Sequence, residues 1–140
     1  MKRLLVTGSR TWTDEYLMTK VLGAAWVHLK GHKNGVTLVH GGAEGADLMA
    51  DRIWQRGAET PERLIQVVRP NYERDGRGAP FARNNQMAQS GIDLAVAFAM
   101  PCNIRGCPQS GMFHFTHGTA HCFSACRTEQ VPVWLIGQWS

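Results

Sequence analysis

The run Leu38-Val39-His40-Gly41-Gly42-Ala43-Glu44-Gly45-Ala46-Asp47 passes from apolar residues through a glycine-rich turn into a helical pattern. A strand-turn-helix of this composition presents backbone N–H groups to an anion. Glycine lets the backbone come close, and the helix adds the positive end of its dipole. Two further stretches repeat the arrangement: Thr7-Gly8-Ser9-Arg10 after the first apolar run, and His117-Gly118-Thr119 before a late helix. Three such loops point to a pocket for a nucleotide or phosphosugar. The candidate contacts are Gly8, Ser9, Arg10, His40, Gly41, Gly42, Gly45, Asp47, Gly118 and Thr119. Gly8 and Ser9 can offer a backbone N–H and a hydroxyl, and Arg10 can clamp a phosphate with its forked guanidinium. Asp47 falls in a first helical turn, where a carboxylate either caps the helix or bonds a ribose hydroxyl. His40 faces the pocket mouth or merely bonds the backbone, and Trp12 either stacks on a base or packs at the pocket edge.

A second group of residues suggests a metal. Cys102-x4-Cys107 is followed by His114, His117, His121, Cys122 and Cys126. In a reducing compartment such a cluster favours metal ligation over disulfides. Zinc takes four soft or borderline donors in a tetrahedron. The best set is Cys102, Cys107, His114 and Cys122, with His117 or His121 replacing either of the last two. The site would be structural, ordering a Cys/His-rich loop at 99–117 that has no apolar core of its own. The alternative is inert cysteines in a mobile loop. Cys126, one helical turn after Cys122, reads as core.

Alternating elements must position these groups. Five apolar runs read as strands: 3–7, 36–40, 64–68, 94–98 and 131–136. They are nearly continuous in apolar residues, as in a parallel sheet covered on both faces. Helical patterns span 13–30, 45–55, 80–89 and from 118 or 119 to 129, while 69–77 reads as a polar loop over the sheet edge. This order predicts an α/β, Rossmann-like, doubly wound and mostly parallel five-stranded sheet, with ligand at the carboxyl ends of its strands. A chain of 140 residues with 44% hydrophobic content fits one domain over 1–140. No apolar run approaches membrane-spanning length, and Lys2-Arg3 leads into too short an apolar stretch for a signal peptide, so a cytoplasmic protein is expected. The net charge is +4, with 11 arginines among the 15 basic residues. Arginine suits phosphate recognition, although most of these residues read as solvated surface.

The motifs Val-Thr-Gly-Ser-Arg, Val-His-Gly-Gly-Ala-Glu-Gly-Ala-Asp, Ala-Arg-Asn-Asn-Gln-Met and His-Gly-Thr together resemble the SLOG superfamily. Within it the chain is similar to the small single-domain YspA-like branch, related to YpsA, LOG and the Rossmann-like part of DprA. The resemblance implies a nucleotide-binding Rossmann-like fold, with Arg83 and Asn84 directed at the pocket. It also implies pairing of two copies through helices on one sheet face, where Phe81, Met87 and Phe123 exceed what one small core needs. LOG-type enzymes carry Pro-Gly-Gly-x-Gly-Thr-x-x-Glu, whose glutamate serves N-glycosidic hydrolysis; here Cys122 occupies its place and Glu44 is the only speculative substitute. A thiol cannot stabilise an oxocarbenium-like centre as a carboxylate does. The expectation is a nucleotide-binding sensor, carrier or sequestering module acting as a homodimer without a membrane. A nucleoside 5′-monophosphate phosphoribohydrolase is the alternative. Nucleic-acid binding, as in DprA, ranks last because aromatic and basic residues do not alternate as in single-strand grooves.

Overall fold

A computed structural model describes residues 1–57, 62–107 and 114–137. Five strands, β1 (Lys2–Gly8), β2 (Val36–His40), β3 (Arg63–Val67), β4 (Leu94–Ala99) and β5 (Val133–Gly137), form one sheet in the order β3-β2-β1-β4-β5. Every neighbouring pair is parallel. The expectation of a mostly parallel sheet is thus met by a wholly parallel one, a Rossmann-like α/β fold. The chain adds strands in one direction from β1 to β3, then crosses to β4 and continues the other way. The reversal falls between β1 and β4, and a crevice opens there beyond the strand ends.

Both faces of the sheet are covered. Leu4, Val6, Leu38, Val96 and Phe98 point to one face, beneath α1 (Glu15–His28) and α3 (Ala46–Gln55). Leu5, Val39 and Ala95 point to the other, beneath α5 (Ala79–Ala88) and α6 (His117–Thr128). Neighbouring residues of one strand therefore serve opposite cores, which is why the strands read as unbroken apolar runs. Phe98 and Trp12 meet edge to face at 5.2 Å in the first core. Full burial of side chains this size contributes about 1.5–3 kcal/mol each.

The helices differ from the sequence expectation at their ends. The pattern over 13–30 is one helix only as far as His28, capped at its start by Asp14, whose Oδ1 accepts the Leu17 N–H at 2.9 Å. Lys30 then turns into the left-handed region at φ 53°, and a short α2 (Gly31–Asn34) follows. The stretch over 69–77, read as a loop, contains α4 (Tyr72–Asp75) and a single 3-10 turn at Gly76–Gly78. Asn71 caps α4 by accepting the Arg74 N–H. One turn of helix carries no apolar periodicity, so nothing in the sequence distinguished it from a loop. Of the expected loop 99–117, residues 108–113 lie outside the described part. Among the described residues no helix is long and apolar enough to cross a membrane.

Candidate functional site

A cavity of about 430 Å³ opens at the carboxyl ends of β1 and β4. Its walls come from the loop after β1, the first turns of α5 and α6, Ala43 and Asp47 at the start of α3, and Asn103 and Ile104 after β4. Of the residues expected to touch ligand, Gly8, Ser9, Arg10, Asp47, Arg83, Asn84, Gly118 and Thr119 line it.

Hydroxyl groups converge on one part of this wall. Ser9 Oγ lies 2.5 Å from Thr116 Oγ1, which lies 3.0 Å from Thr119 Oγ1. Ser9 Oγ also accepts the Met100 N–H at 2.9 Å, which ties the ends of β1 and β4 together. The cluster sits at the start of α6, whose first intrahelical bond runs from the Ala120 N–H to the Thr116 carbonyl at 3.0 Å. The N–H groups of His117, Gly118 and Thr119 precede that bond, and the Thr116 side chain caps none of them. Hydroxyls that can donate, beside the positive end of a helix, make a receptor for an oxyanion. Arg10 adds an exposed guanidinium to the same cavity. Thr116 was not singled out from sequence, although a threonine just before a helical pattern is a recognisable start signal.

The second glycine loop does something different. Its Gly41 and Ala43 N–H groups donate to Asp47 Oδ2 at 3.0 and 3.3 Å. The Gly42 N–H donates to His40 Nδ1 at 3.0 Å. An accepting Nδ1 leaves the imidazole proton on Nε2, which donates to Asp51 Oδ2 at 2.6 Å. The loop therefore spends its donors on the protein's own side chains, and Asp47 occupies the place an external anion would take. His40 is fully buried behind the wall. Gly41, Gly42 and Gly45 also stand behind it, shaping rather than lining the cavity. Arg83 Nη1 donates to the Gly41 carbonyl at 2.6 Å and its Nε to Asn84 Oδ1 at 3.0 Å, which fixes the two polar residues of α5 that line the cavity. Burial pushes the Asp47 carboxyl above its ordinary value, while neighbouring His40, the two backbone N–H groups and Arg83 pull the other way. Trp12 is buried in the first core, so its packing role holds and it does not reach a base.

Beside the cavity four side chains gather that could hold a metal ion: Cys102, Cys107, His114 and His117, with donor atoms all within 4.8 Å of one another. Cys102 Sγ lies 3.6 Å and Cys107 Sγ 3.4 Å from His117 Nε2. His114 Nε2 lies 3.5 Å from Cys107 Sγ and 3.4 Å from His117 Nε2. The sequence set needs one correction. Cys122 is not in the cluster, and His117, its stated replacement, is. The five residues from position 117 to 122 are about 1.4 helical turns, which turns the Cys122 thiol into the second core, against Leu5, Val39 and Met87. There its hydrogen bond with Cys126 and its burial push the thiol pKa well up, which suits an inert neutral side chain rather than a ligand. His121 is also elsewhere, with its ring against Phe81 at 4.5 Å and Nδ1 near the Asn84 amide. Glu44 is exposed and outside the cavity lining. Asn103 and Ile104 line the cavity without any sequence signal having marked them, and Phe81, marked only for pairing of two copies, lines it as well.

A five-stranded parallel sheet with a cavity at its switch point defines a Rossmann-like α/β protein. The chain belongs to the YspA, cpYpsA-related SLOG family: the family model matches residues 2–69, which hold β1, β2, α3 and the first two glycine loops. It is also similar over its whole length to the Gene 61 protein of Mycobacterium phage D29, at 33% identity over 138 residues and 98% of each chain.

Proposed function

We propose that this protein binds a phosphorylated nucleoside or related phosphosugar as a sensor, carrier or sequestering module, without chemistry of its own. The observation that carries this reading is the meeting of the Ser9, Thr116 and Thr119 hydroxyls with the uncapped first turn of α6 in a cavity that Arg10 also lines. Membership of the SLOG family agrees with it. Glycosidic hydrolysis normally needs a pair of carboxyl groups across the scissile bond. Among the described residues the cavity lining offers a single carboxyl, Asp47, already engaged by two backbone donors. The test is thermal stability against a panel of mononucleotides, dinucleotides, ADP-ribose and cyclic nucleotides. A binder at about 100 times its dissociation constant adds roughly 2.7 kcal/mol. No shift from any member at millimolar concentration would overturn the proposal, and release of free base would move the protein to the hydrolases.

The Cys/His cluster is read as a structural zinc centre. Zinc–nitrogen bonds of about 2.0–2.1 Å and zinc–sulfur bonds of about 2.3 Å give tetrahedral edges of roughly 3.4 Å between nitrogens and 3.6 Å between nitrogen and sulfur. The four donor distances of 3.4–3.6 Å match these edges. Two thiolates and two imidazoles favour zinc over hard cations and fill its coordination shell, which suits structure rather than catalysis. All four cysteines are outside disulfides, consistent with a reducing cytoplasm. Elemental analysis should find about one zinc per chain. Homodimerisation belongs to the same proposal. Met87 is consumed by the core, but Phe81 and Phe123 keep exposed surface on adjoining helices.

A further inference from the structure

We propose that metal loading sets the affinity of the cavity for its ligand: the metal centre is the device that builds one wall of the cavity and anchors the helix that receives the phosphate. The inference rests on the nucleotide-binding reading above and deepens it, and three observations support it. First, the turn between the two cysteine ligands supplies Asn103 and Ile104 to the cavity lining. Residues 103–106 of this turn are exposed and belong to neither core. The turn's own order rests on a 3.3 Å bond from the Cys107 N–H to the Ile104 carbonyl. A segment with so little burial gains its fixed shape from a cross-link at its two ends, and Cys102 and Cys107 are those ends.

Second, His117 has two positions at once. It is the first residue of α6, lining the cavity beside Gly118, and it is the donor closest to both cysteines. A metal bond to its Nε2 therefore fixes the helix start whose N–H groups face the cavity. Third, the chain leaving β4 pairs with the chain entering α6. The Cys102 N–H donates to the His114 carbonyl at 2.8 Å, and the Thr116 N–H donates to the Met100 carbonyl at 3.1 Å. The metal ligands lie at one end of this ribbon. At the other end Met100 and Thr116 enter the hydroxyl cluster on Ser9.

Coupling of this kind is reciprocal, so whatever factor the metal adds to nucleotide affinity the nucleotide adds to metal affinity. The factor should also depend on the ligand. A bare phosphate needs only the hydroxyls and the start of α6. A mononucleotide also needs the wall that carries Ile104, because its base is apolar on both faces.

The experiment is calorimetric titration of zinc-loaded and chelator-stripped protein with the best binder of a 5′-mononucleotide panel and, separately, with inorganic phosphate. Stripped protein should bind the mononucleotide about tenfold or more weakly, with a smaller loss for phosphate. A chromophoric chelator competition should find zinc held more tightly, by the same factor, in saturating mononucleotide. Ile104→Gly in zinc-loaded protein should keep its zinc and lose mononucleotide affinity. That variant leaves both cores untouched, so it remains informative should the chelator-stripped protein fail to stay folded. Equal mononucleotide affinity with and without zinc would overturn the coupling while leaving the nucleotide pocket standing. A protein that binds mononucleotide but takes up no zinc would do the same. If no mononucleotide binds the zinc-loaded protein, the pocket reading falls and takes this inference with it.

Discussion

Gly118 stands second in α6, and a methyl group added there would meet nothing within 4 Å. Packing does not require glycine at this position, and a helix ordinarily prefers alanine. Gly118→Ala should therefore raise stability by about 0.5 kcal/mol, measured by denaturant midpoint. The same methyl group enters the space where an anion would approach the α6 N–H groups, so mononucleotide affinity should fall by about tenfold. A more stable variant with unchanged affinity would remove α6 from the ligand site. Asp47 tests a different physical effect. Burial raises its folded-state pKa above the ordinary 3.8. Below the unfolded value both states hold the proton and no cost arises. As pH rises through the folded value, the native state must bury an anion that the unfolded chain keeps solvated, and stability is lost. Asp47→Asn keeps an oxygen to accept the Gly41 and Ala43 N–H groups while removing the charge. Its melting temperature relative to the parent should be higher at pH 7 than at pH 3, and a pH-independent difference would show that desolvation of this carboxyl costs nothing.

At the scale of elements, the site depends on two loop backbones touching. A Cβ at Gly45 would lie 2.5 Å from the Arg10 Cα and carbonyl oxygen, and φ there is +82°. No side chain can yield to relieve that contact, because both neighbours are backbone. The Ala46 N–H also donates to the Ser9 carbonyl at 3.2 Å, so α3 holds the first loop directly. Gly45→Ala should cost about 2–3 kcal/mol in urea unfolding, as expected for strain at a special backbone angle combined with overpacking. It should also weaken ligand binding by moving Ser9 and Arg10. By contrast, Gly41 faces the Arg83 guanidinium, the flexible end of a side chain, so Gly41→Ala should be milder. The second loop thus acts as a brace for the first, though its glycine density suggests direct anion contact.

The whole molecule contains two cores that do not need the metal. Trp54, Phe98, Leu4 and Leu38 are sealed on one face of the sheet, and Leu5, Met87 and Cys122 on the other. Zinc removal should therefore lower the melting temperature by several degrees, at about 2–4 °C per kcal/mol for a chain of this size, without unfolding the protein. Far-UV circular dichroism of the stripped protein at 25 °C should keep its helical signal. Collapse of that signal would mean the cluster holds the fold itself, as in zinc fingers. Assembly is checked separately: light scattering at tens of micromolar should give a dimer mass, and a monomer would remove the pairing proposed through α5 and α6.

The central strands were legible because two-sided burial writes a nearly continuous apolar run into them, as in Leu94-Ala95-Val96-Ala97-Phe98, whereas the edge strands β3 and β5 are only partly buried. The loops at Gly8–Arg10 and Gly118–Thr119 were legible because a glycine between an apolar run and a helical pattern marks a strand-to-helix turn, and both line the cavity. Cys102, Cys107 and His114 stood out because soft donors are rare in a loop without another use for them. Tertiary structure alone decided what each group faces. Asp47 and His40 absorb the donors of the second loop, and Thr116 completes the hydroxyl cluster from a hundred residues away in the chain. His117, rather than Cys122, joins the Cys/His cluster because helical phase turns one side chain toward the loop and the other into the core. Sequence spacing fixes positions along an element, whereas direction depends on where the neighbouring elements pack. That is why donor types could be read before folding and donor partners could not.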